Sequence, residues 1–186
     1  MKRSALFYWH QRAGASFIEH QGWELPASFL PPEQEAAQVR KSAGIADLSH
    51  LLKFELQTQP PQNGWRLGAG LYLMMGESPL DPPPGAIDVS SVNASFRLVG
   101  PRSRDVLNKL TSLNVSSAAL SNLSCAQASV AHAHATLLRE DIGSLPAFHI
   151  LVSRDYSESV WESIAHAGHE FDLCPFGLQT LQAFHH

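Results

Sequence analysis

Residues 94–113 place the tightest constraint on what this chain can fold into. Residues 94–99 read as a β-strand that turns Phe96 and Leu98 inward and Arg97 outward. Gly100-Pro101 breaks the extended run. Beyond it Val106, Leu107, Leu110 and Leu113 recur at helical spacing, which predicts a helix over 102–113. A strand that passes through two turn residues into an amphipathic helix folds that helix back over its own sheet. Helix and sheet then share one core.

Proline and glycine divide the rest of the chain. Residues 31–43 predict a helix: Pro32 suits the first turn, Glu33 and Glu35 face the positive end of the dipole, and Arg40 and Lys41 face the negative end. Gly44 offers it a left-handed cap. Its inward stripe, Ala36, Val39 and Ala43, is thin and fits close packing. Leu52, Phe54 and Leu56 share one face of a predicted strand, and residues 70–75 predict a second one that places Tyr72, Met74 and Met75 in the core. Pro60-Pro61 through Gly64 separates the two. Prolines at 79, 82, 83 and 84 cannot supply ladder donors, so residues 76–85 read as a loop.

Residues 126–139 predict a strand pair or one bent strand, residues 140–143 a turn, and residues 147–152 a strand with Phe148, Ile150 and Val152 on one face. Ser153 or Asp155 is the expected cap of a helix striped by Tyr156, Val160, Trp161 and Ile164 that ends near Gly168. A short strand at 171–173 and a helix over 176–184 complete the reading. Strands and helices alternate without a regular βαβ period. The expected class is α+β, an antiparallel or mixed sheet covered on one face by helices.

Composition removes several functions. A net charge of -4 and a pI near 6.2 give no basic stripe for nucleic acid. No apolar run reaches the roughly 18 residues that a membrane span requires. The segment Ala5-Leu6-Phe7-Tyr8-Trp9 is too short, and too soon interrupted by His10 and Arg12, for a secretory signal. Asn93, Asn114 and Asn122 open sequons, which carry no weight without such a signal. Cys125 and Cys174 read as reduced thiols of a cytoplasmic protein.

The usual chemistry-bearing motifs are missing. The chain has no GxSxG elbow and no HExxH. Gly68-Ala69-Gly70 leads into a strand, where a phosphate loop would open a helix. His132 and His134 stand two apart and could share an ion on one side of a strand, but a third ligand at a definite spacing is lacking. No metal is expected, and His185-His186 ends the chain.

Four segments in register are more informative. They are Gly14-Ala15 with Gln21-Gly22-Trp23-Glu24-Leu25-Pro26; Gly44-Ile45-Ala46-Asp47-Leu48-Ser49-His50 with Lys53 beyond it; Phe96-Arg97-Leu98-Val99-Gly100-Pro101 running into Leu110-Thr111; and Pro175-Phe176-Gly177-Leu178. In order and spacing they resemble the aminomethyltransferase family, the glycine-cleavage T-protein and its relatives. Within that family, Leu110-Thr111-Ser112-Leu113-Asn114-Val115, Ser124-Cys125-Ala126-Gln127 and Val152-Ser153-Arg154-Asp155 are most similar to the gamma subunit of sarcosine oxidase.

The resemblance implies a folate-binding fold of two ferredoxin-like halves. It also implies a single domain over 1–186 that lacks the C-terminal part of full-length relatives. In catalytic members an Asp contacts the reacting nitrogens of tetrahydrofolate, and Asn114 occupies that place here. An amide cannot shuttle a proton or balance an iminium. Leu51 stands where catalytic members carry a Met against the pterin, an exchange of similar volume. Ser116 is expected on the same wall. The implied folate site is thus Leu51, Asn114 and Ser116, with no catalytic residue and with tetrahydrofolate bound weakly or not at all.

Local alternatives stand beside these assignments. Asp47 and Ser49 can simply cap backbone groups in a turn, Asn114 can cap the helix or turn the chain just past it, and Trp23 can anchor the core. Two functions follow from the resemblance. One is a non-catalytic subunit docked on larger oxidase or transferase chains, or on itself, in N-methyl amino-acid oxidation. The other is a stand-alone tetrahydrofolate-binding, one-carbon transfer protein.

Overall fold

The computed structural model describes residues 1–57, 60–61 and 64–184; His185 and His186 lie outside the described residues. In chain order the elements are β1 (Lys2–Arg3), α1 (Phe7–Arg12), β2 (Ser16–His20), β3 (Trp23–Ser28) and α2 (Pro32–Lys41). Next come β4 (Gly44–Asp47), β5 (Leu52–Gln57), β6 (Trp65–Gly68), β7 (Leu71–Gly76) and β8 (Ile87–Asp88). Then follow β9 (Asn93–Val99), α3 (Ser103–Asn108), β10 (Cys125–Val130), β11 (Ala133–Arg139) and β12 (Ala147–Ser153). Helix α4 (Ser157–Gly168), β13 (Cys174–Pro175) and α5 (Leu178–Ala183) close the chain.

The strands form three sheets. The largest has six strands in the order β10-β11-β12-β9-β4-β13, antiparallel except where β13 runs parallel to β4. A four-stranded sheet, β6-β7-β5-β8, and a three-stranded one, β1-β3-β2, stand beside it. This is the α+β class expected from the sequence.

One face of the six-stranded sheet carries Phe96, Leu98, Leu137, Phe148 and Ile150, packed on Val106 and Leu107 of α3 and Val160, Trp161 and Ile164 of α4. Trp161 is fully buried, with Trp9, His10 and Phe96 set edge-on against it at ring distances of 5.3, 5.1 and 5.3 Å. Truncating such a side chain to alanine costs about 3–5 kcal/mol. The other face gathers Val39, Ala46, Leu48, Leu51, Val99 and Phe176.

Two glycines follow from close approach. Gly100 has φ +124°, and a Cβ there would lie 2.4 Å from the Ser42 carbonyl oxygen. Gly44 is not the left-handed cap that its position after α2 predicts. It opens β4, where a Cβ would sit 2.4 Å from Val39 and 2.7 Å from Phe176.

Several elements depart from their predicted form. Helix α3 stops at Asn108, short of residue 113, because the Leu110 carbonyl accepts the Ala131 N–H of the β10–β11 turn and the Thr111 hydroxyl accepts the Leu113 N–H. Neither Ser153 nor Asp155 caps α4. A 3-10 turn at Arg154–Tyr156 leads in, Ser157 donates to the Arg154 carbonyl at 2.6 Å, and Tyr156 is exposed. The strand expected at 171–173 is a 3-10 turn at His169–Phe171 followed by left-handed Asp172, with pairing delayed to Cys174.

Arg97 does not point to solvent. Strand β9 lies between β12 and β4, both its faces are covered, and Arg97 is only 3% exposed. Trp23 is half-buried at the start of β3 with the Lys2 ammonium 5.7 Å above its ring, so Trp161 is the tryptophan of the core. Of the strand over 71–76, Leu73 is buried while Tyr72, Met74 and Met75 are half-buried. Both cysteines are free and lie on opposite edge strands of the six-stranded sheet, too far apart to pair. No helix among the described residues is long and apolar enough to cross a membrane.

Candidate functional site

The turn that joins β4 to β5 is held by a buried hydrogen-bond network. Asp47 accepts the Ser49 N–H at 3.0 Å and the Ser49 hydroxyl at 2.6 Å, and its other oxygen meets His10 Nε2 at 3.0 Å. The Ser49 hydroxyl in turn accepts the Ser95 N–H at 3.3 Å. Lys53, fully buried, donates to the Leu51 carbonyl at 2.7 Å and the Ser49 carbonyl at 3.2 Å. Burial alone would raise the Asp47 carboxyl, but the His10 hydrogen bond and charge, with the hydroxyls of Ser4 and Ser49, hold it at about 2. Burial pulls Lys53 down to about 8 against the opposing charges of Asp47 and Asp88. Asp47 and Ser49 therefore build a structural turn that presents Leu51 to what lies beyond it.

Beyond it is a cleft of about 950 Å³. Leu48, Leu51, Met75, Leu181 and Phe184 supply its apolar lining, while Arg97, His149, Glu77, Glu140 and Asp141 supply the polar groups. Arg97 and His149 are direct register partners on β9 and β12, and both are buried. Arg97 Nη2 donates to the Glu140 carbonyl at 2.5 Å, and His149 Nε2 meets a Glu140 carboxylate oxygen at 3.2 Å. Burial, reinforced by the Arg97 charge, pushes His149 down to about 4 although Glu140 opposes it. Burial likewise pulls Arg97 down to about 10, against Glu140 and Asp141. Two buried atoms here, Arg97 Nη1 and His149 Nδ1, have no hydrogen-bond partner among the described residues. A cleft with an apolar wall and two unsatisfied nitrogen groups suits a flat, amphipathic ligand with a polar edge.

The carboxylates of the cleft are already engaged. Asp141 pairs with Arg139 through two bonds of 3.0 and 2.6 Å, and Glu77 pairs with His20 and His50 at 3.1 Å each. The Glu77 carboxyl lies below its ordinary value, first through the His50 hydrogen bond and against partial burial. No cysteine belongs to the lining, and burial, with Glu35 nearby, drives the Cys174 thiol up to about 11. Neither these carboxylates nor a cysteine gives the cleft a free general base or a prepared nucleophile.

Of the three residues assigned to folate from sequence, only Leu51 lines the cleft. Asn114 and Ser116 are exposed on the segment after α3, and Asn114 Oδ1 accepts the Ser116 N–H at 3.0 Å. This is the local turn that stood as the alternative for Asn114. His132 lies in the β10–β11 turn with φ +67° and His134 on β11, both exposed.

Arg97 and His149 were not among the residues singled out. Alternation along β9 assigns Arg97 to the face opposite Phe96, but not whether that face is covered. A strand bounded by apolar neighbours on both sides of the arginine is the available signal. His20, His50 and Glu77 converge from three separate elements, so no spacing rule could find them.

The fold and segment order match known proteins. An aminomethyltransferase of Geobacillus sp. (strain WCH70) is 26% identical over 225 aligned residues, covering 96% of this chain and 62% of that protein. The crystal structure of the glycine cleavage system aminomethyltransferase T from Bartonella henselae superposes with a TM-score of 0.78 at 14% identity, over 99% of this chain and 62% of that one. A chain of heterotetrameric sarcosine oxidase from Corynebacterium sp. U-96 gives 0.66 at 14% identity, over 91% of this chain and 96% of that one. Of these two structures, the aminomethyltransferase has the higher score. The chain spans less than two-thirds of the aminomethyltransferases it matches. The model of the GCVT N-terminal domain covers residues 6–59 and 79–185. The chain belongs to this aminomethyltransferase family.

Proposed function

We propose that the chain is a non-catalytic member of the family, a subunit of the sarcosine oxidase gamma type in a folate-linked complex that oxidises N-methyl amino acids. The observation that carries this reading is Asn114. The resemblance places it where catalytic members hold an Asp, and it is an exposed amide whose oxygen is spent on the Ser116 N–H. An amide there neither takes a proton nor offsets charge on a reacting amine. The engaged state of Glu77 and Asp141 supports the same conclusion. The likeness in fold to a chain of a heterotetramer supports a partnered role.

If tetrahydrofolate enters, Leu48, Leu51 and Met75 would pack on its ring, and Arg97 and His149 would meet its polar edge. The cofactor carries the one-carbon unit; these residues only bind and orient it. The alternative is a stand-alone, tetrahydrofolate-dependent one-carbon transfer protein. It draws on the TM-score of 0.78 to aminomethyltransferase T and on Leu51 at the cleft.

Two measurements separate the readings, one on the purified chain and one on the chain expressed with partners. Calorimetric titration with tetrahydrofolate is expected to show weak binding or none. Co-expression with flavin-dependent amine oxidase chains from the same source is expected to yield a stoichiometric complex. A tight single folate site on a chain that ignores such partners would overturn the proposal.

A further inference from the structure

Outside the folate question, one cluster has the composition and spacing of a cation site. His20 ends β2, His50 lies in the turn before β5, and Glu77 follows β7. His20 Nε2 is 3.1 Å from one Glu77 carboxylate oxygen and His50 Nε2 is 3.1 Å from the other, and the three donor atoms all fall within 4.8 Å of one another. Ligands about 2.0–2.2 Å from a tetrahedral zinc stand roughly 3.3–3.6 Å apart, so little movement would bring these three around one ion.

The arrangement is held from outside. Gln21, next to His20, donates to the Ser78 carbonyl at 2.8 Å and accepts the Ser78 N–H at 3.1 Å, which locks the two backbone segments side by side. The His50 side chain is 1% exposed, while those of His20 and Glu77 are 27% and 46% exposed. The site thus has one buried anchor and an open side through which an ion and its water can enter.

We propose that His20, His50 and Glu77 bind a first-row divalent cation that favours imidazole, with Zn²⁺ as the probe. Two neutral imidazoles and one carboxylate suit such an ion and disfavour Mg²⁺ or Ca²⁺, which prefer oxygen. Glu77 also lines the cleft, so a bound cation would change the charge at the cleft wall.

The test is calorimetric titration of the metal-free chain with Zn²⁺, paired with the visible absorption of the Co²⁺ form. One ion per chain with a tetrahedral Co²⁺ spectrum is expected. His20→Ala and Glu77→Gln, both at partly exposed positions, should each weaken binding by at least about tenfold. The double variant His132→Ala/His134→Ala should bind as the native chain does. Circular dichroism and the melting temperature of the metal-free variants establish that they are folded. Absence of Zn²⁺ binding by the native chain, or unchanged affinity in either His20→Ala or Glu77→Gln, would show that the cluster is only a hydrogen-bonded clasp.

Discussion

Glu35 and Asp47 on one side, and Arg97 and His149 on the other, are buried polar groups of one chain with opposite surroundings. Glu35 accepts the N–H groups of Phe29, Leu30 and Gly177 and the Thr180 hydroxyl, so both of its oxygens are used. Asp47 is equally complete, with His10 and Ser49 around it. Each carboxylate reaches a segment distant in sequence: Glu35 joins α2 to α5 as well as to the loop just before α2, and Asp47 joins β4 to α1. At the cleft, Arg97 Nη1 and His149 Nδ1 have no hydrogen-bond partner among the described residues, although Arg97 Nη1 lies 3.8 Å from a Glu140 carboxylate oxygen. A buried polar group whose hydrogen bonds are complete specifies structure, and one with an unused donor or acceptor beside a cleft has capacity left for a ligand. The difference leaves unused hydrogen-bonding capacity on the cleft wall, while Asp47, for all its place in a family motif, holds the fold.

The sharpest way to break this comparison is to remove a satisfied group. Asp47→Ala strips His10 and Ser49 of their partner, and a loss of about 3–5 kcal/mol in denaturant unfolding is expected. A loss below about 1 kcal/mol would mean that the network is not structural.

The next effect is a pH dependence from the cleft side. His149 is held at about 4, below its ordinary 6.5, so the unfolded chain takes up the proton first as pH falls. Stability is therefore lost between pH 6.5 and 4, by up to about 3 kcal/mol from this group. Melts of His149→Leu across that window should give a visibly shallower slope. An unchanged slope would contradict the buried, neutral imidazole.

Arg97→Met removes a partly satisfied cation in favour of an apolar group. Its stability is expected to stay within about 1 kcal/mol of native or to rise, since replacing a buried charge by a packed side chain is often neutral or stabilising. A loss comparable to that of Asp47→Ala would erase the distinction between the two regions. The smallest effect belongs to Asn114→Asp: at an exposed turn, melting should move by less than about 1 kcal/mol.

What was legible in the sequence follows the same division. The strand, Gly-Pro turn and helix over 94–113 could be read because period and punctuation are local, as could α2 and the Val160, Trp161 and Ile164 stripe of α4. Residues whose role depends on what covers them could not. Glu35 read as a dipole partner because its position on the first turn is local information; its burial comes from residues 177 and 180 packing over it. Arg97 read as exposed because alternation reports a shared face and not the layer above it. Leu51 lines the cleft, whereas Asn114 and Ser116 lie away from it in an Asx turn that folds that segment onto itself.

The decisive measurement is turnover by the purified chain alone, followed as one-carbon transfer to tetrahydrofolate from an aminomethyl or N-methyl amino-acid donor. The expected result is no product above the protein-free rate at any chain concentration. Steady product formation proportional to the chain would contradict a docking role and return Asn114 and its neighbours to the chemistry.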